Sequence, residues 1–171
     1  IRERERGTLE HILVMPVRSS EIAMSKIFAN GLVLLVVVTL ALRFISHSVL
    51  GVPLPDGSIP LFILGVAVFI FSIASLGIML AIFAPTMPQF GLLVLPVYIM
   101  LYLLSGTASP VENMPELAQH LTQFSPTTIF AAYTQDILFR GAGLDIVWDK
   151  LAKMSALGAL FLGIALMQFK T

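Results

Sequence analysis

Residues 57–111 contain no Asp, Glu, Lys, Arg or His. A soluble domain rarely goes so long without a charge, because its loops and outer faces need solvated groups. A bilayer makes the opposite demand: a spanning segment must be apolar and must satisfy its own backbone hydrogen bonds. The stretch therefore predicts an integral membrane protein. Composition agrees, with 57% hydrophobic and 12% charged residues, against about 45–50% and about 25% in soluble domains.

Four apolar runs are long enough to be read as spans. The first, 22–45, centres on Leu32-Val33-Leu34-Leu35-Val36-Val37-Val38. The second, 60–83, has fifteen residues that are Leu, Ile, Phe or Val, giving on the order of −5 to −9 kcal/mol of insertion free energy. The third, 90–107, contains Pro96, which is expected to kink it. The fourth, 151–169, is just long enough at about 1.5 Å per residue. The runs are unbroken, whereas the strands of a membrane barrel alternate, so the expected fold is all-α, a polytopic helical bundle. Turn-rich residues 51–57 and the uncharged Ala84-Pro85-Thr86-Met87-Pro88-Gln89 separate the first three spans, and a long external loop, 108–150, precedes the last.

Charge sets the expected topology. Arg2, Arg4, Arg6, Arg18 and Lys26 gather at the start of the first span, and residues 46–58 hold no Lys or Arg. Positive residues stay on the cytoplasmic side, so both termini are placed in the cytoplasm and the long loop outside. Formal net charge is zero and the ten basic residues are dispersed, which leaves no groove for nucleic acid. With no cysteine, disulfides, Cys-ligated zinc and iron–sulfur clusters are excluded. His11, His47 and His120 stand apart without ligand spacing, so no metal site is expected.

The opening segment, 1–20, has its own organisation. Arg2–Glu5, Glu3–Arg6 and Arg6–Glu10 have helical ion-pair spacing. Gly7 can end one helix in a left-handed turn, and Thr8 can cap the next with Glu10 in its first turn. Leu9, Ile12 and Leu13 form an apolar stripe that Pro16 stops. The result is a short capped helix on the cytoplasmic face. It is either a plain juxtamembrane helix with solvated charges or the grip for a cytoplasmic partner.

The sequence Glu5-Arg6-Gly7-Thr8-Leu9-Glu10, followed by apolar residues and Pro16, resembles the E-x-G-T-x-E signature of type-2 ABC transporter permeases, most closely the bacterial inner-membrane permeases of YhhJ type. Ser109-Pro110-Val111-Glu112-Asn113-Met114-Pro115 and Ser125-Pro126-Thr127-Thr128 are similar to that family's external stretch before its last span. The resemblance implies a permease that dimerises, with each copy binding a cytoplasmic ABC ATPase. ATP belongs to that partner, and no cofactor to this chain. It implies an ATPase-coupling role for Glu5, Gly7, Thr8, Glu10 and Leu13. It also implies six spans in the family, so this chain, which opens at Ile1 inside the motif, is expected to be a C-terminal fragment. A large external domain is expected in the missing part.

In the long loop, Leu117, Ala118, Leu121 and Phe124 fall on one helical face and Glu116, Gln119, His120 and Gln123 on the other. A second helix restarts at Ser125-Pro126, carries Ile129, Phe130, Tyr133, Ile137 and Leu138, and ends at Arg140-Gly141. The residues alone permit two helices lying flat on the outer surface; the resemblance implies re-entrant ones.

No G-x-x-x-x-G-K-[ST] motif precedes any of the four lysines. The cores of the spans hold no carboxylate or histidine of the kind an ion-driven carrier uses. Arg43 sits at the outer end of the first span, where it can snorkel. Asn30, Thr39, Tyr98 and Tyr102 are polar groups in apolar helices, hence candidates for a pathway or for interhelical hydrogen bonds. An export permease for hydrophobic, amphipathic or drug-like cargo is the reading. The alternatives are a membrane scaffold and an intramembrane protease built on Gly106-Thr107-Ala108-Ser109, whose base is missing from the neighbouring spans.

Overall fold

A computed structural model describes residues 19–45, 51 and 57–169. Among them are six α-helices and no strand: α1 Ser19–Phe44, α2 Ser58–Ile82, α3 Met87–Leu103, α4 Glu116–Thr122, α5 Pro126–Arg140 and α6 Leu144–Phe169, with a single 3₁₀ turn at Val111–Asn113. The stretches Met24–Phe44, Ser58–Ile82 and Leu144–Gln168 are long and apolar enough to cross a membrane. Helix α3 has 17 residues, about 25 Å of rise against a hydrocarbon core of about 30 Å. Of the four expected spans, three thus correspond to helices long and apolar enough to cross a membrane and one to a shorter apolar helix.

Two boundaries depart from the sequence expectation. The helix expected at 90–107 begins at Met87, after the extended Thr86 and with Pro88 in its first turn, runs on through Pro96, and stops at Leu103. Its end has a local cause. Ser105 donates its hydroxyl back to the Tyr102 carbonyl, and Gly106 follows at φ +79°, a conformation a helix cannot continue through. The helix expected at 151–169 starts seven residues earlier, at Leu144. Asp145, Asp149 and Lys150 made that stretch read as loop. The helix uses them instead: Asp145 stands in the positive first turn and Asp149 pairs with Lys153 at 2.9 Å.

Helix α2 is the centre of the bundle. It packs along α6, and also against α1, α5 and, less extensively, α3. Small residues allow the closest approaches. A Cβ on Gly158 of α6 would stand 3.0 Å from the Ser72 Cα of α2, and one on Gly31 of α1 would stand 3.1 Å from Ile70 Cγ2.

The tightest core lies where α5 wedges between the first halves of α2 and α6. Ile129, Tyr133 and Ile137 of α5 are buried with Ala142 and with Val147 and Met154 of α6. Contacts run in opposite order along α5 and α2. Phe130 stacks on Phe69 (centroids 4.3 Å, planes 13° apart), while Tyr133, further along α5, meets Gly65 and donates its hydroxyl to the Leu61 carbonyl. Helix α5 is therefore antiparallel to α2, and its first turns lie beside Phe69, about 16 Å along α2 from its start.

The far end of α5 is held by charge. Asp136 is 7% exposed, and its carboxylate accepts from Lys150 Nζ of α6 and, at 3.1 Å, from Arg140 Nη1. Gly141 then adopts φ +61° and the Ala142 N–H closes onto the Asp136 carbonyl at 2.9 Å, turning the chain into α6.

In α4 the amphipathic face is turned around relative to the protein interior. Leu117, Leu121 and Phe124 are exposed, whereas Thr122 is buried and Gln119 half-buried. An apolar face directed away from the protein suits a helix in contact with lipid.

Four outcomes follow for the full-length protein, measured as thermal unfolding in detergent. Gly65→Ala places a methyl 2.0 Å from Tyr133 Cε1 and is expected to cost about 1–3 kcal/mol. Gly77→Ala, with nothing within 4 Å, should stay within about 0.5 kcal/mol of the parent; equal effects would refute the proposed seat. Lys150→Ala leaves Asp136 buried with only a largely exposed Arg140 and should cost about 3 kcal/mol. Arg140→Ala should cost under about 1 kcal/mol.

Candidate functional site

The expected ATPase-coupling residues Glu5, Gly7, Thr8, Glu10 and Leu13 lie outside the described residues. The pathway candidates lie within them. Tyr98 and Tyr102 are one turn apart on α3, both more than half exposed, so they share a face. No residue of α3 is buried. Asn30 and Thr39 share α1, but nine residues at 100° each put them on opposite sides of the helix. Asn30 is exposed; Thr39 is half-buried and donates its hydroxyl to the Leu35 carbonyl at 2.7 Å. Its polarity is thus satisfied within its own helix. Helices α1 and α3 each pack on α2 and at most touch each other. The structure brings the two tyrosines together, and does not join them to Asn30 and Thr39.

Two cavities of about 280 Å³ stand beside these helices. One is an apolar groove where α1 crosses α2, opened by Gly31 and Ala67 and walled by Phe28, Leu35 and Phe71. The other is a mixed slot on the far side of α5. Its floor is one helical face: Thr128, Ala131, Ala132 and Gln135 stand at i, i+3, i+4 and i+7. This face is distinct from the stripe of Ile129, Tyr133 and Ile137 buried in the core.

The opposite wall of the slot is the turn that follows α3, including Ser105, Gly106, Val111 and Glu112. Several bonds fix this wall. Thr128 Oγ1 donates to the Leu104 carbonyl at 2.6 Å, tying α5 to the end of α3. The Ser105 and Thr107 hydroxyls bond each other. Gln119 Nε2 donates to the Met114 carbonyl at 2.8 Å, holding the 3₁₀ turn against α4. The Gly106 position matters because a Cβ there would stand 3.1 Å from Val111 Cγ2, besides facing a positive φ.

Sequence reasoning missed this slot and the Asp136–Lys150 pair. Each joins residues far apart in the chain, and only the i, i+3, i+4, i+7 pattern of small and polar residues on α5 was visible beforehand.

The profile of the family described as "ABC-2 type transporter" matches residues 1–139. The chain is 49% identical over 170 residues to the inner membrane transport permease YhhJ of Escherichia coli K12, covering 99% of this chain and 45% of that protein. It is 34% identical over 150 residues to the probable multidrug ABC transporter permease YbhR of the same organism, covering 88% of this chain and 40% of that one. The chain therefore spans less than half the length of these relatives. No solved structure matches it. With the profile spanning the opening signature and α1 to α5 alike, the chain belongs to the ABC-2 type transporter family.

Proposed function

We propose that this chain forms part of the permease subunit of an ATP-driven exporter in the bacterial inner membrane. A separate cytoplasmic ATPase supplies the energy, since the sequence holds no phosphate-binding loop of its own. Residues 1–20 act as the lever, with Glu5, Gly7, Thr8, Glu10 and Leu13 in contact with the ATPase. The observation that carries this reading is the family match running from residue 1 to residue 139, which joins that opening signature to the spans as one unit.

In this reading both ends of the chain face the cytoplasm and α2 and α6 begin on the outer side. Helix α5 then lies re-entrant in the outer half of the membrane, which its depth along α2 supports. Lipid covers the exposed side of α4. A second permease copy completes the pathway, with the unburied faces of α1 and α3 turned toward it. The cargo is hydrophobic, amphipathic or drug-like, supported by the scarcity of polar groups on those faces and by the printed description of YbhR. A scaffold would share the spans without needing the capped cytoplasmic segment. A protease would need a base beside the exposed Ser109.

The test is reconstitution of the full-length permease with its ATPase in liposomes. Glu10→Ala is expected to leave the permease folded while lowering substrate-stimulated ATP hydrolysis and transport at least tenfold. If ATPase association, hydrolysis and transport all persist in that variant, the coupling assignment is wrong.

A further inference from the structure

The slot between α5 and the turn after α3 has features that the exporter reading does not explain. Its base is narrow-sided and open because Ala131 and Ala132 carry only methyls where larger side chains would fill it. Hydrogen-bonding groups stand at both ends of that floor, Thr128 at one and Gln135, exposed, at the other. Its only ionisable lining group is Glu112, whose exposed carboxylate has no ion pair among the described residues. The walls are fixed by the Thr128–Leu104 and Gln119–Met114 bonds, so the slot is pre-formed rather than a gap between loose segments.

The charge carried by the lining residues has one sign. Residues 44–139 contain no Lys or Arg at all, while Glu112 and Glu116 both lie in the connection around the slot. Among the lining residues an anion would meet a carboxylate and no cation. A cation would meet the Glu112 carboxylate at the rim of a mixed polar and apolar slot, where opposite charge favours its entry. At about 280 Å³ the volume suits a small molecule and excludes a peptide.

We propose that this slot binds a small organic cation: an ammonium group against Glu112, with a compact apolar body over Ala131 and Ala132. In the exporter reading it is a release-side subsite, and this further inference names the charge class of cargo that passes it. The binding claim itself stands on the slot's own geometry.

Radiolabelled tetraethylammonium, permanently charged and compact, serves as the probe. Its binding to the full-length permease in nanodiscs is measured by equilibrium dialysis. Glu112→Gln, a substitution at an exposed site, is expected to weaken binding about tenfold. Ala132→Phe, which fills the floor, should abolish it. Glu116→Gln, on the same connection but outside the lining, should bind as the parent does. Equal binding by parent and Glu112→Gln overturns the proposal, as does equal loss in the Glu112 and Glu116 variants, which would mark a diffuse surface charge. Should Ala132→Phe fail to fold, the two glutamate variants still decide. Transport assays on the same proteins separate the two readings. Slot binding intact with no ATP-driven flux rejects the exporter and keeps the site, whereas flux intact without slot binding does the reverse.

Discussion

Tyr133 fits into α2 only because residue 65 has no side chain. That single close approach fixes the position of α5, and much else depends on it. With the ring against Gly65, the hydroxyl reaches the Leu61 carbonyl and Phe130 comes to rest on Phe69. In lipid, helices gain little from hiding apolar surface from one another, so association relies on fit and on satisfied polar groups. Gly65 supplies the fit and the Tyr133 hydroxyl the satisfied polar group. The Phe130–Phe69 stack adds about 0.5–1.5 kcal/mol.

Once α5 is seated, the elements around it follow. Its first turn meets the end of α3, where Thr128 takes up the Leu104 carbonyl left over by the terminating helix. Its last turn delivers Asp136 to Lys150, fixing where α6 begins. The turn after α3 is held by the Thr128–Leu104 bond and by Gln119 on the Met114 carbonyl, and stands over the small-residue face of α5. The slot is a by-product of those two bonds. It persists because Ala131 and Ala132 do not fill it.

Hydropathy made the long helices legible because lipid imposes one simple rule over a whole span. Breakers at residues 51–57 and 84–89 were equally plain, and Ser125-Pro126 and Gly141 marked both ends of α5. Boundaries failed where a local bond decided. Nothing in the run Leu101-Tyr102-Leu103-Leu104 announces that the helix stops there; the Ser105 hydroxyl and the left-handed Gly106 do that. The start of α6 was hidden for the opposite reason. Its charges looked like loop until Asp136, fourteen residues earlier, gave Lys150 a partner. Among the candidate polar residues, sequence could place Tyr98 and Tyr102 on one face. It could equally have separated Asn30 from Thr39, since that needs only the helical period.

The charge distribution links the fold to the proposed chemistry. Insertion excludes Lys and Arg from the core of the spans, but it does not exclude them from the connection between α3 and α5, which is mostly polar and well supplied with turns. Their absence there leaves Glu112 and Glu116 without competing cations over the whole of residues 44–139. The first basic groups after it, Arg140 and Lys150, are both drawn to the buried Asp136. Asp136 therefore anchors α5 to α6 and holds Arg140 and Lys150 in ion pairs just beyond Gln135, at the end of the slot floor away from Thr128. The cost of burying Asp136 is offset by those pairs. Both cations are thereby engaged with Asp136, and Glu112 is left as the ionisable group that lines the slot.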